Sequence, residues 1–295
     1  EHGRARLAAL PSADWEGVLV PWFHPAYALR TPTVMVQLHA DVTKLRDEVA
    51  RVCAVMPQTD YGLAEESDIV AHLLAHWCTF GFDTETTSPK RAGVFQTDEA
   101  ELVGYSVSWA PFTGRYVAAP QMGDGIKGVL ASPLWTKICH NAKFEMKVLA
   151  KQGVELNGWD DTALAAWLLG EPRVGLKVLS RQHLGVQPVT YKAVTQGLDM
   201  SELSPEDVAG YASADADYPN RLWPGFKARL TEENLLGVYE KIEKPLTPVL
   251  ARMEARGIGV DVERCKAVGT AMSAPLVQAH DTARLAVAEA GFEPF

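Results

Sequence analysis

Phe82-Asp83-Thr84-Glu85-Thr86 follows the hydrophobic run Cys78-Thr79-Phe80-Gly81 and reads as the end of a buried β-strand. Successive strand side chains point to opposite faces, so Asp83 and Glu85 project together from one side. Two carboxylates at the end of an apolar strand are costly unless something cationic neutralises them. A divalent metal bound by oxygen ligands is the usual solution. A solvated strand end is the plain alternative, and what decides between the two is whether the chain returns further carboxylates to the same place.

It does so twice. His140-Asn141-Ala142-Lys143-Phe144-Glu145 carries an acid in what reads as the first turn of a helix, with Asn141 at the position of its N-cap. Taken alone, Glu145 there would face outward and favour the helix dipole. Further on, Tyr211-Ala212-Ser213-Ala214-Asp215-Ala216-Asp217 places Tyr211 and Asp215 four apart on one helical face, with Asp217 pointing elsewhere.

The remaining pattern frames these three stretches. A helix is predicted over 68–77 with Ile69, Leu73 and Leu74 inward. Strands are predicted over 101–109 and 114–119, joined as hairpins, with a short strand near 137–139 and a helix from 142 to about 151. Beyond Asn157 the pattern turns helical, over 161–169, 175–184, 205 to about 230, and 235–256. Strands first and helices after, with a helix between strands, predict an α/β fold with a mixed sheet flanked by helices.

Composition narrows the function classes. The 295 residues carry a net charge of −9, which argues against a broadly basic nucleic-acid surface but not against a nucleic-acid end entering a metal site. No apolar run reaches the roughly 20 residues of a membrane span, and the N-terminus is not a secretory signal. Cys53, Cys78, Cys139 and Cys265 have neither metal-ligand spacing nor a disulfide-framework pattern, so a reducing compartment such as the cytoplasm is expected. The chain starts at Glu1 and stops at Phe295 directly after a helical pattern, and is expected to be a fragment of a longer polypeptide.

Asp-x-Glu on a strand, Asn-x-x-Phe-Glu at a helix start and Tyr-x-x-x-Asp on a later helix, in that order, resemble the three exonuclease motifs of the DEDDy superfamily. The similarity is closest to the proofreading domain of family-A DNA polymerases. Glu101-Leu102-Val103-Gly104, the stretch from Asp161 to Leu169, and Gly175-Leu176-Lys177-Val178-Leu179 resemble that family as well, so the likeness covers residues 76–232. It implies a ribonuclease H-like fold with a helical C-terminal extension, and two divalent cations, Mg²⁺ or Mn²⁺, cleaving the last phosphodiester of a single-stranded or frayed 3′ DNA end.

By the same resemblance, Asp83, Glu85 and Asp215 hold the metal that binds the attacking water, and Tyr211 orients that water. Asp83 and Glu145 serve the second metal. Asn141, Phe144 and Tyr191 lie against the terminal nucleotides and Arg173 near a phosphate, with Pro89 where the family often has a Leu wedge. The sequence departs from the family at Glu145, where Asp is usual. The extra methylene moves the carboxylate by about 1.5 Å on a fixed backbone, and misplacement near 1 Å can cost about a hundredfold in rate. Weakened rather than abolished cleavage is the expectation.

The ends of the chain carry two further resemblances. Residues 242–261, from Ile242-Glu243-Lys244-Pro245 to Gly259-Val260-Asp261, are similar to the entry of the same family's polymerase domain, at the base of the thumb. Residues 233–295 are therefore expected to be thumb helices, with palm and fingers as partners elsewhere in the full polymerase. Gly17 to Arg30, with the turn His24-Pro25 and an amphipathic helix from Val34 to about Val52, resembles the C-terminal end of a family 4 uracil-DNA glycosylase. Residues 1–52 are expected to be the remnant of an upstream domain of that kind, or else an N-terminal appendage, unable to excise uracil alone. A catalytically silent polymerase module and a ribonuclease D-type RNA-processing enzyme are the alternatives. The thumb-like segment speaks against the latter.

Overall fold

The computed structural model describes residues 58–76, 79–91, 94–95 and 99–293; His24, the glycosylase-like segment and the helix expected over 34–52 lie outside the described residues. The chain divides into two compact units, Glu1–Arg252 and Met253–Phe295.

The first unit is built on a six-stranded mixed sheet. Its strands are β1 (Asp60–Leu63), β2 (Phe80–Thr86), β5 (Leu102–Ser108), β6 (Thr113–Val117), β7 (Lys137–Cys139) and β8 (Trp159–Asp161). The spatial order is β1-β6-β5-β2-β7-β8; β5 lies antiparallel to both β2 and β6, and the β1/β6, β2/β7 and β7/β8 pairs are parallel. A two-residue ribbon, β3 (Lys90–Arg91) with β4 (Val94–Phe95), interrupts the passage from β2 to β5. The organising stretch is the C-terminal end of β2, which runs through Asp83 and Glu85 to Thr86, with Asp83 opposite Ser106 and Glu85 opposite Gly104 on β5.

Both faces of β2 and β5 are covered, so their sequences read as near-continuous buried runs. On one face, Phe80 and Phe82 pack with Ile69 and Leu73 of α1 (Glu66–His76), Ile126 and Leu130 of α2 (Asp124–Ala131), and Val148 and Leu149 of α3 (Ala142–Lys151). Leu74, expected inward, is 50% exposed, because α1 buries a narrower stripe than its sequence suggests.

On the other face lies α7 (Pro205–Glu232), begun by Ser204, whose Oγ accepts the Asp207 N–H. Between these come α4 (Thr162–Leu168), α5 (Leu176–Leu179), which opens into one π-helical turn over Ser180–Leu184, and α6 (Tyr191–Thr195). Gly81 and Gly114 let α7 lie flush on the sheet, since a Cβ on either would meet the backbone of Ala216 or Ser213.

The helix predicted over 161–169 conceals β8, which ends at Asp161. The run expected over 235–256 is α8 (Leu236–Val238), a π-helical turn over Tyr239–Glu243, and α9 (Lys244–Arg256). Tyr239 is fully buried; its hydroxyl accepts the Asp161 N–H at 2.8 Å and donates to Asp160 Oδ1 at 3.3 Å, pinning this run to β8. In the second unit α10 (Val262–Glu289) starts at Asp261, whose carboxylate caps the Arg264 N–H, and exposes Met272 and Leu276.

Candidate active site

Gly81, Asp83 and Glu85 share the face of β2 that looks at α7, and Asp215 follows from the turn of α7 that rests on Gly81. Carboxylate oxygens of Asp83, Glu85 and Asp215 lie within 4.8 Å of one another. Glu85 and Asp215 are buried, and Glu85 Oε1 has no hydrogen-bond partner. Burial, and then the charge of Asp215, push the Asp83 carboxyl well above the usual carboxylate range. Burial and the charges of Asp83 and Asp215 do the same to Glu85. Asp215 is raised by burial, with the Lys177 ammonium and the Tyr211 hydroxyl working in the opposite direction.

Lys177, on α5, forms an ion pair with Asp215 Oδ1, and its ammonium sits 4.1 Å from the centre of the Tyr211 ring. Asp83, His140, Lys177, Tyr211 and Asp215 line an open cleft of about 340 Å³. Burial pushes the His140 imidazole down to about 4, so it is neutral at physiological pH, with Nδ1 at 2.9 Å from Thr162 Oγ1. The sequence reading overlooked Lys177 and His140, although both stand inside stretches it singled out.

Glu145 arrives from the other layer. Thr84 lies between Asp83 and Glu85 and so points to the opposite face of β2, toward α3, where its hydroxyl donates to Glu145 Oε2 at 2.6 Å. Glu145 is fully buried rather than outward-facing, and its oxygens do not belong to the group of three. The structure thus brings Asp83, Glu85 and Asp215 together and holds Glu145 beside them, turned to Thr84.

The start of α3 is fixed by an acid from another strand. Asn141 has a left-handed backbone (φ 70°), and its side chain caps nothing. Asp161 takes over: its carboxylate accepts the N–H groups of Asn141 (3.0 Å) and Ala142 (2.8 Å) while also capping α4 through Ala163 (2.8 Å) and Leu164 (3.2 Å). Asp161→Ala leaves four donors at two helix starts without their acceptor. It is expected to cost about 2–4 kcal/mol, read from the urea midpoint, with Asp161→Asn retaining much of the loss; a cost below about 1 kcal/mol would contradict the double cap.

The family profile described as 3′–5′ exonuclease matches residues 59–231. The chain belongs to this 3′–5′ exonuclease family. DNA polymerase I of Rhizobium leguminosarum is 33% identical over 218 residues, covering 61% of this chain and 21% of that protein. The chain thus spans about a fifth of the length of the curated relatives it matches. Among solved structures, the polymerase domain of Pol1 from M. smegmatis in complex with DNA primer-template and dNTP superposes with a TM-score of 0.61 at 22% identity, over 79% of this chain and 38% of that one. RNase D of Escherichia coli does so with a TM-score of 0.54 at 17% identity, over 66% and 51%. Both likenesses concern the fold, a ribonuclease H-like sheet flanked by helices. The glycosylase-like segment around His24 lies outside the family match.

The residues expected to face nucleotides are not among those that line the cleft. Phe144 packs half-buried against the core beneath α3, Arg173 is exposed before α5, and Asn141 is exposed. Tyr191 is 39% exposed, and its hydroxyl sits 2.7 Å from Ser88 Oγ, next to Pro89. The same loop is held by Asp199, which accepts the Ser88 N–H at 2.7 Å, so the exit of β2 is tied both to α6 and to the segment that follows it.

Proposed function

We propose that the chain is the proofreading part of a DNA polymerase I-type enzyme, removing nucleotides hydrolytically from a single-stranded or frayed 3′ DNA end. The observation that carries this reading is the meeting of Asp83, Glu85 and Asp215 within 4.8 Å on β2 and α7. The donor set fits a divalent cation. It is all carboxylate oxygen, hard enough for Mg²⁺ or Mn²⁺, and Glu85 Oε1 is a buried acceptor awaiting a positive partner. When bound, a pair of such ions supplies a water acidic enough to attack phosphorus and neutralises charge on the phosphate and the leaving oxygen.

The protein's own part is to hold and orient. Asp83, Glu85 and Asp215 would hold one cation, and Asp83 with Glu145, once it leaves Thr84, would serve a second. Tyr211, held by Asp215, would orient the attacking water through its hydroxyl. Phe144 and Tyr191 offer faces on which unpaired bases stack, and Asn141 and Arg173 contact the terminal nucleotide and a phosphate. DNA rather than RNA is favoured because the similar curated proteins are named DNA polymerase I. The same relatives support thumb helices over 233–295, a palm and fingers elsewhere in the full enzyme, and a bacterial cytoplasm as setting.

The test is degradation of a 3′-labelled single-stranded oligonucleotide with Mg²⁺, Mn²⁺ or EDTA. Stepwise loss from the 3′ end that stops in EDTA is the expected result. No loss with either metal would assign the domain to a silent structural role. Glu145 sharpens the expectation. Glu145→Asp releases Thr84 and restores the shorter side chain usual in the family, and is expected to raise the cleavage rate by up to about a hundredfold. An unchanged rate would show that the extra methylene does not limit cleavage.

A further inference from the structure

Two acids stand two positions apart on α7 and are treated differently. Asp217 is fully buried and saturated: it accepts from the Tyr61 hydroxyl (2.7 Å), the Phe112 N–H (2.9 Å) and Arg221 (3.1 Å). Arg221 is itself 10% exposed and stacked over Phe112. That is a permanent structural pair. Asp215 instead meets Lys177 and the Tyr211 hydroxyl, and the Lys177 side chain is 23% exposed at the edge of the cleft.

We propose that Lys177 is a tethered cation that competes with the divalent ion for Asp215, so that loading the site requires the ammonium to leave. This rests on the metal reading given above. Asp215 Oδ1 cannot give one lone pair to both an ammonium and a metal, and two cations sharing that oxygen repel each other strongly in a site so withdrawn from water. Lys177 has somewhere to go. It sits on a four-residue helix, its flexible stem reaches solvent through the cleft, and the Tyr211 ring it rests on holds it by a weak cation–π contact. Its departure uncovers the Tyr211 ring, whose hydroxyl stays on Asp215. The displaced ammonium stays in the cleft that a phosphodiester must enter.

Ca²⁺ binding to the intact chain by titration calorimetry, with Lys177→Met and Lys177→Arg alongside, tests this. A charge-assisted hydrogen bond removed from the competing state is worth about a tenfold change or more. Lys177→Met is therefore expected to bind Ca²⁺ about tenfold tighter, and Lys177→Arg to stay near the native affinity. Should Lys177→Met fail to fold, amine labelling of the native protein by acetylation and mass spectrometry reads the same event. Lys177 is expected to become several-fold more reactive when Ca²⁺ is added. Equal or weaker Ca²⁺ affinity in Lys177→Met, or labelling of Lys177 that Ca²⁺ leaves unchanged, overturns the proposal while leaving the metal site standing. No Ca²⁺ binding by either protein overturns both.

Discussion

Asp83→Asn is expected to reduce 3′-end cleavage by about a hundredfold to a thousandfold or more and, in EDTA at pH 8, to raise the melting temperature. The first effect follows from its position. Asp83 is the member of the group on which both proposed cation positions depend, and an amide removes the charge while keeping the shape. Losing an essential electrostatic group of this kind costs about 10²–10³ or more in rate.

The second effect has its sign in the environment of the carboxyl. Burial and Asp215 raise the folded-state pKa of Asp83 above its unfolded value. For an acid shifted in that direction the folded state is penalised above the unfolded pKa, and the penalty grows as pH rises toward the folded value. Below the unfolded pKa both states are protonated and there is nothing to gain. The stabilisation by Asp83→Asn should accordingly shrink between pH 8 and pH 4, and should vanish when Mg²⁺ neutralises the native cluster. Melting curves at the two pH values, with and without metal, check it. A variant that is inactive but no more stable in EDTA would mean that Lys177 already neutralises the cluster.

The carboxylates were legible in the sequence because their geometry is local. Alternation along one strand fixes that Asp83 and Glu85 share a face, and a spacing of four on one helix fixes that Tyr211 and Asp215 do. The extent of α7 was legible for the same reason, since its Ser204 cap and its periodicity are local, whereas α3 was legible by periodicity alone and takes its cap from Asp161 on β8.

What stayed hidden depends on which layer each element joins. Glu145 turns to Thr84 because α3 packs on the face of β2 opposite Asp83, and nothing inside residues 141–151 encodes that choice. Lys177 reads as a solvated residue on a short helix until α5 is set against α7. β8 escaped because Trp159-Asp160-Asp161 is three residues long with two acids, and its pairing partner β7 supplies the reason it is a strand. β1 escaped because Asp60-Tyr61-Gly62-Leu63 lacks alternation and is held at the sheet edge by β6 and by the Arg115–Asp60 pair at 2.7 Å.

Gly81→Ala is expected to destabilise the protein by about 3 kcal/mol or more, at the upper end of overpacking costs. A Cβ at this position would lie 1.9 Å from the Ala216 carbonyl oxygen and 2.9 Å from its carbon. Both atoms are backbone of α7, so no side-chain rotation relieves the clash and the helix must move. Its freedom to do so is small. Asn220 Nδ2 donates to the Ser108 carbonyl at 3.1 Å, and Leu222, Trp223 and Phe226 are buried in the cluster with Tyr239.

Any shift that clears the methyl carries Asp215 away from Asp83, because Asp215 is the neighbour of Ala216. A displacement near 1 Å is worth about a hundredfold in rate, so cleavage by the residual folded protein should fall as well. Gly210→Ala on the same helix is the control. Nothing lies within 4 Å of a Cβ there, and the gain in helix propensity should stabilise by about 0.5–1 kcal/mol. Urea denaturation of both variants, with cleavage measured well below their midpoints, separates the two effects. If Gly81→Ala were tolerated within about 1 kcal/mol at full activity, the contact between β2 and α7 would be soft. The spacing of Asp83, Glu85 and Asp215 would then have to be set by the cation they bind rather than by packing.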